Sequence, residues 1–159
     1  MSVQKYLENY RHDRNCTLLG VGPMSKNCVD ASIELAEKYK APLLLIASRR
    51  QIDSEQFGGG YVEKWTSKNF ADYVRDKDVN KNIILARDHG GPWQSDLEKN
   101  QNMNLKEAMK SAKDSFRADI DAGFHMLHID PSIDIHARPS IEQVLERIYE
   151  LYEFCWSYA

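Results

Sequence analysis

Four short apolar runs, each followed by a segment with apolar residues at helical spacing, divide the sequence into repeated units. The first run is CTLLGVG (16–22). Behind it, KNCVDASIELAEKY (26–39) places Val29, Ile33 and Leu35 or Ala36 three to four residues apart with charges between them, the pattern of an amphipathic helix. APLLLIAS (41–48) is apolar throughout and carries Pro42 near its start; a strand covered on both faces needs such a run. A loop, RRQIDSEQFGGGYVEKW (49–65), leads through Thr66 and Ser67 to a helical stretch reaching Val74. The third run, NIILA (82–86), stops at Arg87-Asp88-His89, and Gly90-Gly91-Pro92 prevent regular structure from continuing. NLKEAMKSAKDSFRADIDAG (104–123) then aligns Leu105, Ala108, Met109, Ala112, Phe116 and Ile120 on one face, with Gly123 as a stop signal. The fourth run is FHMLHID (124–130). After a loop with Pro131 and Pro139, Ser140 can cap a last helix striped by Ile141, Val144, Leu145, Ile148, Leu151 and Tyr152.

Strand and helix alternating four times imply parallel strands with right-handed crossovers. The fold class expected is α/β, a single domain over 1–159 built of four βα units, as half of a (β/α)8 barrel. The alternative is a small open parallel sheet, which a strand order 2-1-3-4 would favour. Gly20 and Gly22 give a GxG after the first run, but Pro23 follows and no third glycine completes a dinucleotide fingerprint.

In either architecture ligands bind at the carboxyl ends of the strands, and polar residues collect there. The second run ends in Ser48-Arg49-Arg50-Gln51, the third in Asp88-His89, the fourth in His128-Ile129-Asp130. Imidazole with carboxylate is the ligand set of a borderline divalent ion such as zinc, and a carboxylate beside it can exchange a proton with substrate. Arg49 and Arg50 suit a phosphate or carboxylate. Each residue also has a plainer reading, as an Asp that caps a turn, a histidine hydrogen-bonded within the fold, or an arginine in solvent. Successive strand residues face opposite ways, so Asp88 and His89 are expected to share a site only if the strand ends between them. His125 reads as a strand-entry residue, His12 as solvated and His136 as a loop residue.

Composition narrows this further. At 159 residues, 42% hydrophobic and 28% charged, the chain can bury one real core. A net charge of -3 offers no basic footprint, so nucleic acid is not an expected partner. Cys16, Cys28 and Cys155 show no paired spacing, which fits reduced thiols in a cytoplasmic setting. The polar first fifteen residues do not read as a signal peptide. No apolar run approaches the ~20 residues of a membrane span.

The segment IILARDHGGPW with Gln94 after it resembles the strand-3 motif of the tagatose-bisphosphate aldolase Z-subunit family. IASRRQIDSEQFGGG is similar to that family's strand-2 loop, and AGFHMLHIDPSID to its strand-4 segment. The three motifs occur in order over about 110 residues. The resemblance implies a barrel related to metal-dependent class II aldolases. Asp88 would be the proton donor or acceptor, His89 a zinc ligand, and Asp130 a further catalytic residue at the site. Ser48, Arg49, Arg50, Gln51 and His128 are expected to meet the substrate, a phosphorylated or acidic ketose. Three departures stand out. Ile46 occupies the place of the family's strand-2 carboxylate, Arg49-Arg50 replace small polar residues, and Arg87 replaces a small one. The sequence also ends after the fourth helix, without the barrel's second half. Two functions are therefore expected as alternatives: a zinc-dependent aldolase or epimerase, or a non-catalytic subunit that stabilises an aldolase partner. The exposed strand edges of a half barrel lead to the expectation of a homodimer or a second barrel-forming chain.

Overall fold

The computed structural model describes residues 3–14 and 17–159; Cys16, one of the three thiols read as reduced, lies outside them. The first element, α1 (Val3–Arg14), falls in a stretch whose polar character gave no periodic signal. The four expected strands form at β1 (Leu19–Val21), β2 (Leu43–Ser48), β3 (Ile83–Gly90) and β4 (Met126–Ile129). They make one sheet in the order β1-β2-β3-β4, and all three pairings are parallel. Consecutive order with every neighbour parallel is the progression of a (β/α)8 barrel arc, not the 2-1-3-4 of the open alternative. The fold is four βα units of an unclosed half barrel.

The crossovers are the expected helices. α2 (Lys26–Tyr39) starts at Ser25, whose side chain accepts the Cys28 amide. α3 (Ser67–Lys77) starts at Thr66 with a reciprocal Thr66–Asn69 capping box. The loop after β3 folds a short helix, α4 (Asp96–Asn100), ahead of α5 (Leu105–Asp121). α6 (Ile141–Tyr158) is capped by Ser140, as expected. Leu43, Leu45, Ala47, Ile83 and Leu85 point from the sheet into a core with Val29, Ile33, Phe70 and Val74 of the helices. The alternate residues Leu44, Ile46 and Ser48 turn to the concave face and are only half buried, as period-2 alternation requires.

A second cluster joins Met109, Ala112 and Phe116 of α5 to Leu151 and Cys155 of α6. Burial pushes the Cys155 thiol up to about 11, which makes it unreactive. The line α6 buries is Arg147, Leu151 and Cys155. Ile141, Leu145 and Tyr152 of the expected stripe are exposed instead, together with Tyr149 and Trp156. No helix of the described residues is long and apolar enough to cross a membrane.

Both arginines bracketing the sheet's core are buried. Arg87, on the helix-covered face of β3, holds Asp119 of α5 through Nε and Nη2 at 2.7 and 2.6 Å and donates to the Ala47 and Ile52 carbonyls. Burial opposes the Arg87 charge, yet the paired Asp119 carboxylate keeps its pKa raised. Arg49 holds Asp53 at 3.0 Å and Glu98 at 2.5 Å, with further bonds to Gly91 O and Ser111 Oγ. α5 therefore carries two inner faces. One is the expected apolar stripe; the other is Ser111, Ser115 and Asp119, all buried among these ions.

Candidate active site at the strand ends

The site begins with an irregularity in the sheet. β3 and β4 pair evenly as far as Arg87 opposite Leu127, and pairing resumes at Gly90 opposite Ile129. Asp88 and His89 thus oppose the single residue His128, a β-bulge that bends the strand and re-aims its side chains. His89 absorbs the extra residue with φ +44°, a left-handed conformation that costs a residue with a Cβ about 1–2 kcal/mol. The expectation that the strand must stop between Asp88 and His89 is corrected here. β3 runs on to Gly90, and the bulge suspends the alternation that would have sent the two side chains apart.

On the rim this brings three donors together. The Asp88 carboxylate lies between two rings, 3.7 Å from His89 Nε2 and 3.6 Å from His128 Nδ1. The His89 backbone N–H points at His128 Nδ1 across 3.4 Å. One ligand atom from each of Asp88, His89 and His128 can be chosen so that all lie within 4.8 Å of one another. One carboxylate and two imidazoles, all half exposed, with Asp88 and His89 lining a cleft, suit a divalent ion that keeps open coordination positions. The residues fit such a group.

Behind this cluster stands Asp130. Its Oδ2 is 2.6 Å from His89 Nδ1 and accepts from Gln94 Nε2 at 3.0 Å, while Oδ1 accepts the Ser132 N–H and hydroxyl. A carboxylate on one ring nitrogen fixes the orientation of the other, so Nε2 of His89 faces Asp88. The hydrogen bond to Asp130, aided by the Asp88 charge, raises the His89 pKa above the usual 6.5. Burial pushes Asp130 up, but its bonds from Ser132 and His89 prevail and hold it below the usual carboxylate value.

The sign of the pH dependence follows. The imidazolium–carboxylate pair is complete below the usual histidine value and fades as pH rises through the raised value of His89. On the acid side it is lost as pH falls through the depressed value of Asp130. NMR titration of His89 without added metal is expected to give a midpoint above 6.5, and Asp130→Asn should bring it down; a midpoint the substitution leaves in place would contradict the pairing.

Ser48, Arg50, Gln51, Asp88, His89 and Asp130 all line one cleft of about 860 Å³ on the concave face. Ser48 and Gln51 lock the turn after β2, the Ser48 N–H donating to Gln51 Oε1 at 2.8 Å. Arg50 is half exposed and bonds Asp96 of α4 at 2.9 Å. Arg49 does not reach the cleft. Its side chain is fully buried and donates from all three nitrogens to Asp53, Glu98, Gly91 and Ser111. The expectation of a substrate-binding Arg49 gives way to a structural role. The glycine loop also approaches protein rather than ligand: Tyr61 and Val62 donate to the Arg50 and Gln51 carbonyls, and a Cβ on Gly60 would collide with Gln51.

His125 accepts the Leu85 N–H on Nδ1 as β4 begins, in the strand-entry place expected. His136 bonds the Met103 carbonyl, and His12 is exposed. Sequence reasoning overlooked Gln94, Lys99, Tyr61 and Ser132, which also line the cleft. Only Gln94 carried a signal, as the residue after the quoted Gly-Gly-Pro-Trp.

A family model described as D-tagatose-1,6-bisphosphate aldolase subunit GatZ/KbaZ-like matches residues 3–153. Among solved structures, a probable tagatose 6 phosphate kinase from Sinorhizobium meliloti 1021 is 22% identical with a TM-score of 0.74, covering 91% of this chain and 37% of that one. This chain therefore spans little more than a third of that neighbour's length. A fructose-bisphosphate aldolase from Campylobacter jejuni is 13% identical with a TM-score of 0.45, covering 100% of this chain and 55% of the other.

Proposed function

The chain belongs to the D-tagatose-1,6-bisphosphate aldolase subunit GatZ/KbaZ-like family, and from that premise we propose that it acts in sugar-phosphate metabolism through a divalent-metal site at the end of β3. The observation that carries this reading is the bulge-built cluster of Asp88, His89 and His128 with Asp130 behind His89. His89 and His128 would hold the ion with Asp88 beside it, zinc being the one best matched to imidazole donors, and the ion when bound would supply polarisation of a substrate carbonyl. Asp88 is the general acid/base, exchanging a proton with a hydroxyl or carbon of a phosphorylated or acidic ketose in aldol cleavage or epimerisation. Asp130 positions His89. Ser48, Arg50 and Gln51 hold the substrate along the cleft, and His128 passes from substrate contact to ligand.

Metal content provides the test. Zinc titrated into metal-stripped protein is expected to bind at one equivalent per chain, and His89→Ala or His128→Ala should remove that binding. Absence of stoichiometric metal, with zinc, manganese and cobalt all tried, would overturn the metal-site reading.

A second reading rests on the sheet edges. The sheet is open at β1 and β4, with Leu19 and Met126 exposed there. Unpaired edges and apolar surface favour association, so a second copy or an aldolase subunit would cover them, with structural support of that partner as the chain's contribution. The expected mass in solution is that of a dimer; a stable monomer at micromolar concentration that pairs with no aldolase chain would count against it. The unpaired Cys28 and Cys155 support a reducing, cytoplasmic location.

A further inference from the structure

We infer that Lys99 and Arg50 form a phosphate-recognition pair at the wall of the cleft, fixed there by the short helix α4. The inference rests on the proposed use of this cleft for a sugar substrate, and it names the group by which that substrate is held. Lys99 is half buried on α4 and lines the same cleft as Asp88 and His89. It has no ion-pair partner among the described residues. A lysine on a cleft wall without a carboxylate partner is a position that an anion from outside can stabilise.

Arg50 completes the pair. Its Nε is used by Asp96 of α4, which orients the guanidinium while the terminal nitrogens make no other hydrogen bond among the described residues. Arginine presents those nitrogens as a planar fork suited to phosphate oxygens. α4 itself is pinned from beneath. The buried Arg49 holds Glu98, the residue before Lys99, and also the Gly91 carbonyl. Two adjacent arginines thus grip one short helix at its first and third residues: Arg49 anchors it in the core through Glu98, and Arg50 ties Asp96 at the surface. Lys99 is consequently presented by a fixed element rather than by a free loop. Gln51 and Tyr61 line the same cleft, their Nε2 and hydroxyl donors resting on the Met24 sulfur at 3.2 and 3.5 Å. The guanidinium fork and the ammonium can together meet several oxygens of a phosphate monoester.

Inorganic phosphate is the probe, titrated into the whole chain and followed by the side-chain nitrogen resonances of lysine and arginine. The expected result is saturable shifts of Lys99 Nζ and Arg50 Nε. Lys99→Gln and Arg50→Gln are each expected to weaken phosphate binding about 10-fold, the value of one charge-assisted contact, and Lys99→Arg should restore most of it. His89→Ala, which removes a metal ligand, should leave phosphate binding intact, so loss of metal and loss of phosphate report on separate readings. Unchanged phosphate affinity in folded Lys99→Gln, or shifts confined to the lysines of α5, would overturn the inference. Tighter binding of galacturonate than of phosphate would overturn the choice of phosphate.

Discussion

Asp119→Ala is expected to destabilise the fold by about 3–5 kcal/mol, the cost of leaving a buried charge without its partner. Asp119 receives two guanidinium bonds from Arg87 and one from the Ser67 hydroxyl, and both ion-pair side chains are wholly buried. Alanine would strand the Arg87 charge between β2 and α5, where only the Ala47 and Ile52 carbonyls still accept from it. Against a domain stability of about 5–15 kcal/mol, that loss consumes a large share. Urea unfolding measures it as a lowered midpoint. The double change Arg87→Met with Asp119→Leu removes both charges at similar volume, and it should recover much of the loss. A single substitution costing under 1 kcal/mol would show that the pair is solvated and that the buried network is misassigned.

Asp88→Asn has the largest effect expected on chemistry. Asparagine keeps the size and one oxygen toward His89 and His128 but can neither take nor deliver the proton. Turnover is expected to fall by about 10²-fold or more, with the fold and the Lys99–Arg50 wall undisturbed. The assay is cleavage or epimerisation of a ketose bisphosphate, with an aldolase subunit added in one series. Activity equal to that of the unchanged chain, in every series, would leave Asp88 as a turn-capping residue.

The strands were legible because burial on a parallel sheet demands continuous apolar runs, and LLLIA and NIILA supply them. A helix start was legible where Ser140 announces a cap. α4 was not: five residues carry too few turns for a periodic signal. The roles of Arg49 and Arg87 were equally hidden. A buried arginine is recognisable only from its acid, and Glu98 and Asp119 lie 49 and 32 residues farther along the chain. Ser111, Ser115 and Asp119 did hold a clue, a polar line at helical spacing beside the apolar one, which a helix packed only on hydrocarbon would not have. For the rim, Asp88 and His89 stand out by adjacency, but the third member of their cluster depends on register, and register between β3 and β4 is a tertiary property.

That register has a consequence for how the site is inherited. The cluster exists because β3 holds two residues where β4 holds one. Deleting a single residue at that place would let the ladder run evenly, and the strand would pair no worse. Yet the alternation would return and face neighbouring side chains apart. A one-codon loss would thus erase the cluster while sparing the scaffold, and a one-codon gain in an even strand would found it.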